Sequence, residues 1–475
     1  MKKEDMFYWL SQINKASILI NSEEGLLDKQ YVQPFAETLQ EFISEGEAGG
    51  PRPASVITYE PYLIDKICPD ITRIHAGRSS QDMLATVRIA LMRSAVLRLV
   101  EGLEKVAKKL IELSAEHRHT IVPAYTNGVA AQPTSYGHYL LAVNEGVFRD
   151  LDRALMFYDR LNRSPMGSMV LNGTSWPLNR ERMATYLGFE GIAYNTYDAT
   201  QVFTMEYPIE AAGLCNMIAI RLTNFVEDVM QQYAQPRPWI LLQEGGENTY
   251  VSSAMPQKRN PGILNGLRAE CSSILGDATG AILRAHNIPY GMADARSGES
   301  IAMVDRTTKA LETFHKILAA LRIDSERSLE ELNLDWTASQ EVADVLMRKY
   351  NISFRIGHHI ASEMVSYGRA NDIKPLDFPY SVVQDIYAHM VEEEKLTGVP
   401  AEFPMLEEEF RNTLNPVAIV ANRQVEGGPQ EAEMEHMLQV SAEQMDSYEH
   451  GLIVARSKLA LAVASLEEDF EKLLK

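Results

Sequence analysis

From Gln81 to Val122 no proline occurs, and apolar residues recur at steps of three and four: Leu84, Val87, Leu91, Ala95, Leu99, Leu103, Val106, Leu110 and Leu113. That spacing lays a single apolar stripe along a helix. At ~1.5 Å per residue such a helix reaches roughly 50–60 Å, which predicts a bundle of long helices. Comparable segments follow at residues 136–161, 209–234, 263–285 and 300–321. Gly and Pro clusters at 164–167, 245–246 and 287–291 separate them. Residues 45–53 (EGEAGGPRP) read as a flexible loop, 333–338 as a boundary, and the chain from Ser441 onward as one helix with few breakers. Strand signals are scarce, and neither internal repeats nor low-complexity stretches are visible. The expected fold class is all-α.

Length changes this picture only by dividing it. A chain of 475 residues has room for roughly three domains at about 150 residues each. With 45% apolar and 23% charged residues it is an ordinary globular composition, able to bury large cores. No apolar run is long enough to predict a membrane span, and the N-terminal Met-Lys-Lys-Glu-Asp turns acidic before a signal-peptide core would begin. Cys68, Cys215 and Cys271 are odd in number and far apart, which disfavours a disulfide framework and a thiolate metal site. A cytoplasmic protein is expected. The formal net charge of −20 disfavours nucleic acid and anionic membranes as partners. The same field repels a small anionic substrate, so a site for one has to concentrate positive charge locally.

The most informative stretch is Ser252-Ser253-Ala254-Met255-Pro256-Gln257-Lys258-Arg259-Asn260-Pro261, after a Gly-rich segment and before a helical pattern. Pro261 suits the first turn of that helix. A helix N-terminus with Lys258 and Asn260 beside it suits a carboxylate, because unsatisfied N–H groups and the helix dipole favour anions. On these residues alone a basic surface loop is the plainer reading. The stretch resembles the G-S-S-x-M-P-x-K-x-N-P signature of the fumarase/aspartase superfamily, in the Met-Pro-Gln-Lys-(Lys/Arg)-Asn-Pro version of the argininosuccinate-lyase type; Val251 stands where glycine is usual. Two further stretches resemble that family in its order. His75-Ala76-Gly77-Arg78-Ser79-Ser80-Gln81-Asp82 is similar to H-T-G-R-S-R-N-D. Ala124-Tyr125-Thr126-Asn127-Gly128-Val129-Ala130-Ala131-Gln132-Pro133 is similar to G-Y-T-H-L-Q-x-A-Q-P.

The resemblance implies three helical domains, bounded at 1–78, 79–333 and 334–475, with a central long-helix bundle. It implies a homotetramer whose active sites are shared between subunits, acting on a small dicarboxylate–amine substrate without metal or organic cofactor. It further implies elimination from a succinyl unit to give fumarate, with Ser252 as the base. A serine hydroxyl is a poor base unless its alkoxide is stabilised, a task for Lys258 and nearby backbone N–H groups. Thr126, Ser79, Gln81, Lys258 and Asn260 would hold the two carboxylates, with Arg78, Ser80, Gln132 and Tyr290 in the substrate site. Ser79 and Gln81 also read as caps of the long helix, and the two roles are compatible.

Departures from the family's residues bear on the amine half. The histidine after threonine is Asn127, and its glutamate partner falls on Asn265, so a His–Glu pair has become Asn–Asn. Replacing both avoids leaving a carboxylate unpaired. An upstream histidine falls on Val56 when Glu60 is aligned, and the arginine of R-S-R-N falls on Ser80. Arg296, in a segment unlike the family's, reads first as an exposed loop arginine and second as the ligand of a further carboxylate. Loss of a general acid is tolerable when the leaving nitrogen already carries its proton, as an alkylammonium at ~8–10 does at neutral pH. The pattern is similar to enzymes of the ethylenediamine-disuccinate lyase type, acting on N-substituted aspartates. Argininosuccinate itself is the alternative substrate, and a catalytically silent scaffold the remaining one. His75, His138, His358 and His359 lie on separate segments without metal-ligand spacing.

Overall fold

The computed structural model describes residues 3–292 and 300–475. Three helices open the chain, α1 (Met6–Glu23), α2 (Lys29–Glu47) and α3 (Val56–Lys66), and lead into α4 (Ser80–Glu116). With 37 residues, α4 is roughly 55 Å long. Ser79 caps it, its Oγ accepting the Gln81 N–H at 3.3 Å while its own N–H donates to Asp82 Oδ1 at 2.9 Å. Of the predicted stripe, Val87, Ala95, Leu99, Leu103, Val106, Leu110 and Leu113 are buried, and Leu84 and Leu91 pack against the same core.

The helical run expected to reach Val122 stops at Glu116. His117 closes it, donating its N–H to Leu113 O at 2.9 Å, and the β-branched Thr120, Ile121 and Val122 ahead of Pro123 favour extended backbone. There begins a hairpin, β1 (Ile121–Thr126) antiparallel to β2 (Val129–Ser135), with a register irregularity at Ala124/Tyr125. Its two-residue connection is Asn127-Gly128, at φ of 53° and 77°. Two successive residues in the left-handed region define the type I′ turn that Asn-Gly favours. The scarcity of strand signals therefore concealed one strong one.

The bundle continues with α5 (Tyr136–Leu161), the short α6 (Arg180–Tyr186) and α7 (Phe203–Tyr233), the last preceded by a π turn at Asp198–Val202. Beyond α7 come β3 (Ile240–Leu242), β4 (Tyr250–Val251), β5 (Arg259–Asn260), α8 (Gly262–Ala285), α9 (Ser300–Ala320) and β6 (Leu321–Ile323). β4 pairs with β5, and β3 with β6. α4, α5, α7, α8 and α9 form the long-helix bundle, which also receives the last helix of the chain.

A second apolar core starts at Trp336 and runs to Leu414. It is built from α11 (Ser339–Tyr350), α12 (Phe354–Ala370), α13 (Tyr380–Glu393) and α14 (Glu407–Thr413), with α10 (Ser325–Leu334) before it and α15 (Pro416–Ala421) after it. The final helix, α16 (Glu431–Glu471), starts ten residues earlier than Ser441. It returns to the first core, contributing Met445, Tyr448, Leu452, Leu466 and Phe470. One segment, residues 198–233, passes the length and composition of a membrane span, against the expectation of none. Half of its apolar window is buried in the bundle.

Candidate active site

Ser252 sits on the tight connection between β4 and β5. Its N–H donates to Lys258 O at 3.2 Å, and the Lys258 N–H donates to Met255 O at 3.0 Å, so the Met-Pro-Gln-Lys segment curls over the serine. Inside that curl the Ser252 Oγ accepts backbone N–H groups from Met255 at 3.2 Å and from Ala254 at 3.4 Å. The Asn260 amide donates to Tyr250 O at 3.3 Å and closes the ribbon. Arg259 braces the loop, with Nε on Glu244 Oε2 at 2.9 Å and an Nη on Pro256 O at 2.7 Å. The sequence pattern had no use for Arg259, whose position beside Lys258 concealed its bracing role.

Charge follows the same division. Arg259 is neutralised by Glu244, whereas the Lys258 ammonium pairs with no carboxylate among the described residues. In a chain of net charge −20 an exposed, uncompensated lysine beside a half-buried serine is a local reversal of sign. Pro261 caps α8, and Asn265 lies exposed on its first turn.

Thr126 and Asn127 occupy the exposed tip of the β1–β2 hairpin. Gln132, on β2, donates to Gln340 Oε1 of α11 at 3.1 Å. Beneath the tip, the Tyr125 hydroxyl accepts from Trp239 Nε1 at 3.0 Å and Gln232 Nε2 at 3.1 Å, and donates to Glu331. These bonds tie the hairpin to α7 and α10. Tyr125 and Glu331 are thus positioning groups that a search for chemistry passes over.

The third group lies at the N-terminus of α4. Ser79 is its cap, Ser80 its first residue and Gln81 its second. Asp82 beside them is buried, with Oδ2 accepting N–H groups from Gly167 and Met169, each at 3.0 Å. Burial pushes its carboxyl up to about 6 against these donors. The neighbouring Arg78 turns inward, donating to Asn14 Oδ1 at 3.0 Å and Ser17 Oγ at 2.8 Å on α1. Burial brings its guanidinium down to about 10.

Ser79 and Thr126 flank opposite ends of α4, so roughly 55 Å of helix separates them within one chain. Among the described residues no hydrogen bond or ion pair joins the Ser252 loop, the Thr126 hairpin and the Ser79 cap. Asn127 and Asn265 likewise share no hydrogen bond there. Tyr290 is exposed, and Arg296 lies outside the described residues. No group of three or more His, Cys, Asp or Glu among the described residues is arranged to hold a metal ion; His138 Nε2 lies 3.0 Å from Gly427 O.

A family model described as lyase matches residues 38–276, and one described as argininosuccinate lyase C-terminal matches residues 336–421. Argininosuccinate lyase of Methanocaldococcus jannaschii is 28% identical over 91% of this chain and 87% of its own. That of Methanothrix thermoacetophila is 26% identical over 99% and 95%. Among solved structures, EDDS lyase in complex with formate superposes with a TM-score of 0.90 at 23% identity, over 99% of this chain and 92% of the other. An EDDS lyase variant with bound fumarate gives 0.89 at 24%, with the same coverage.

The chain belongs to the lyase family, as an argininosuccinate-lyase-like member of the fumarase/aspartase superfamily. It is a carbon–nitrogen lyase.

Proposed function

We propose that the protein catalyses β-elimination from an N-substituted aspartate, releasing fumarate and a free amine. The observation that carries this reading is the Ser252 Oγ held by two backbone N–H groups beside an unneutralised Lys258. Those donors stabilise an alkoxide, the form in which serine takes the Cβ proton. The electron pair left on Cβ forms the C=C bond as the C–N bond breaks, and the nitrogen departs with the proton it already carries. Lys258, Asn260 and the N-terminus of α8 favour the carboxylate on which negative charge develops. Thr126, Ser79, Ser80, Gln81 and Gln132 would contact the succinyl half. Asn127, Asn265, Tyr290 and Arg296 would bear on the amine half.

A homotetramer with shared sites accounts for two features. The Ser79 and Thr126 groups are separated by the length of α4. The bundle also leaves Ile209, Met217 and Ile220 of α7 and Ile282 and Leu283 of α8 exposed, apolar surface suited to other subunits. The three cysteines are unpaired, in keeping with a reducing cytoplasm.

The second reading is argininosuccinate as the substrate, favoured by the two archaeal relatives. A panel of N-substituted aspartates with argininosuccinate among them, followed as ultraviolet absorbance of fumarate, separates the two. Turnover of an N-alkyl aspartate at least tenfold above argininosuccinate supports the first, and the reverse supports the second. A folded assembly inert to the whole panel would leave the chain a scaffold.

A further inference from the structure

A cavity of about 200 Å³ lies between the underside of the β1–β2 hairpin and the C-terminal end of α7. Its walls are aromatic. Tyr136 stacks on Tyr139 with ring centroids 5.7 Å apart, and meets Trp239 edge-on at 5.8 Å. Tyr125 closes one side, held there by Trp239 and Gln232.

Beside the side chains of Thr134, Gln231 and Gln235, three polar groups of the lining present acceptor oxygens. The Tyr136 hydroxyl and the Gln232 Oε1 are buried without a hydrogen-bond partner, and their residues are only 3% and 4% exposed. Asp228 stands at the mouth, its Oδ2 accepting the Tyr139 hydroxyl at 2.6 Å. No Lys, Arg or His among the described residues pairs with that carboxylate. Burial first, and the negative charge of Asp228 after it, hold the Tyr136 and Tyr139 hydroxyls far above an ordinary phenol. A carboxylate, an amide oxygen and a phenolic oxygen all accept hydrogen bonds. Asp228 is exposed, so an anion would meet it unfavourably and a neutral ligand would gain nothing from its charge. A cation bearing N–H groups is drawn to Asp228 and has the donors that the neighbouring acceptor oxygens lack, and the faces of Tyr136, Tyr139 and Trp239 attract it further.

We propose that this cavity binds an organic ammonium ion with an apolar body, of the size of an arylalkylamine. The site requires neither the Ser252 loop nor the reaction assigned above. Its occupant would lie against Tyr125, the residue preceding Thr126, and so against the support of the hairpin tip.

Calorimetric titration of the assembled protein with phenethylamine, 2-phenylethanol and phenylacetate tests this. Phenethylamine should bind saturably, at least tenfold tighter than 2-phenylethanol, and phenylacetate should not bind. Asp228→Asn should weaken phenethylamine at least tenfold while leaving 2-phenylethanol unchanged. Tyr136→Phe removes a hydroxyl that has no partner, so it should keep the fold and weaken phenethylamine severalfold, whatever the fate of Asp228→Asn. Equal affinities for the amine and the alcohol, or amine binding indifferent to Tyr136→Phe, would overturn the proposal.

Discussion

Ser252→Ala removes the atom on which the proposed elimination turns, and the structure sets the size of the loss. The Oγ accepts N–H groups at 3.2 and 3.4 Å. Hydrogen bonds to a charged acceptor contribute ~1.5–3 kcal/mol each, so two favour alkoxide over hydroxyl by ~3–6 kcal/mol, roughly 10²–10⁴ in acidity. Both distances are long for N–H···O bonds, which argues for the lower end in this conformation. The rest has to come from Lys258 and from exclusion of water when substrate is bound. Without the hydroxyl none of this acts on the Cβ proton, and kcat should fall by at least ~10³, or ~4 kcal/mol. Stability should barely change. Ser252 is half-buried on an exposed loop, and the two N–H groups it releases turn to water at a cost of about 1 kcal/mol or less. The assay is fumarate absorbance on the best substrate of the panel, with thermal unfolding as a control. A folded variant keeping more than about a tenth of kcat, a loss of only ~1.4 kcal/mol, would exclude Ser252 as the base.

Arg259→Ala frees the loop from Glu244 and Pro256, so kcat should fall about tenfold while the unfolding midpoint hardly moves, since exposed ion pairs contribute ~0–1 kcal/mol. Unchanged kinetics would show that the loop holds its shape unaided. Asn127→His alone should not confer efficient argininosuccinate cleavage, and with Asn265→Glu it should couple favourably in a double-mutant cycle; additive effects would mean that the two positions do not meet in the assembly. Glu104, between α4 and α16, is pushed up to about 7 by burial and then by Glu449, so the folded chain keeps a proton that the unfolded chain releases between its ordinary value of 4.5 and 7. The associated stability is complete below that window and is lost as pH rises through it, so Glu104→Gln should exceed wild type by ~1–2 kcal/mol at pH 8 and by nothing at pH 4.5; the same difference at both would refute the assignment. Inactive Ser252→Ala and Thr126→Val chains, mixed and reassembled, should regain partial fumarate production, because some shared sites receive neither substitution. No recovery despite demonstrated subunit exchange would place each site within one chain.

What was legible in the sequence follows from what each pattern measures. Periodicity reports one face of one element, so the α4 stripe was readable wherever burial lies along a single line. It has no term for what ends a helix, and the run was carried through His117 into a strand. The β1–β2 hairpin shows the cost of reading a residue for only one purpose. Asn127 was weighed as a replaced histidine, a question of chemistry, while its place before Gly128 posed a question of backbone. At φ of 53° it occupies the left-handed region, which the Asn-Gly pair favours in a type I′ turn. The substitution therefore has a conformational reason as well as a chemical one, and Asn127→His tests both at once. Ser252 was legible only through the resemblance of its motif to a family signature. Its residues alone read as a basic surface loop, and the turn they form became visible only in the fold. The Met255 and Ala254 N–H groups reach the hydroxyl because Lys258 closes the loop a few residues on. Arg78 marks the limit of motif reading, because position in a motif does not fix the direction of a side chain. Its guanidinium goes to Asn14 and Ser17, more than sixty residues earlier in the chain. The relation between the Ser79, Thr126 and Ser252 groups was expected from the resemblance alone, for a geometric reason. A helix of 37 residues holds two of them apart within one chain, so the shared site proposed above rests on subunit mixing for its test and not on any local pattern.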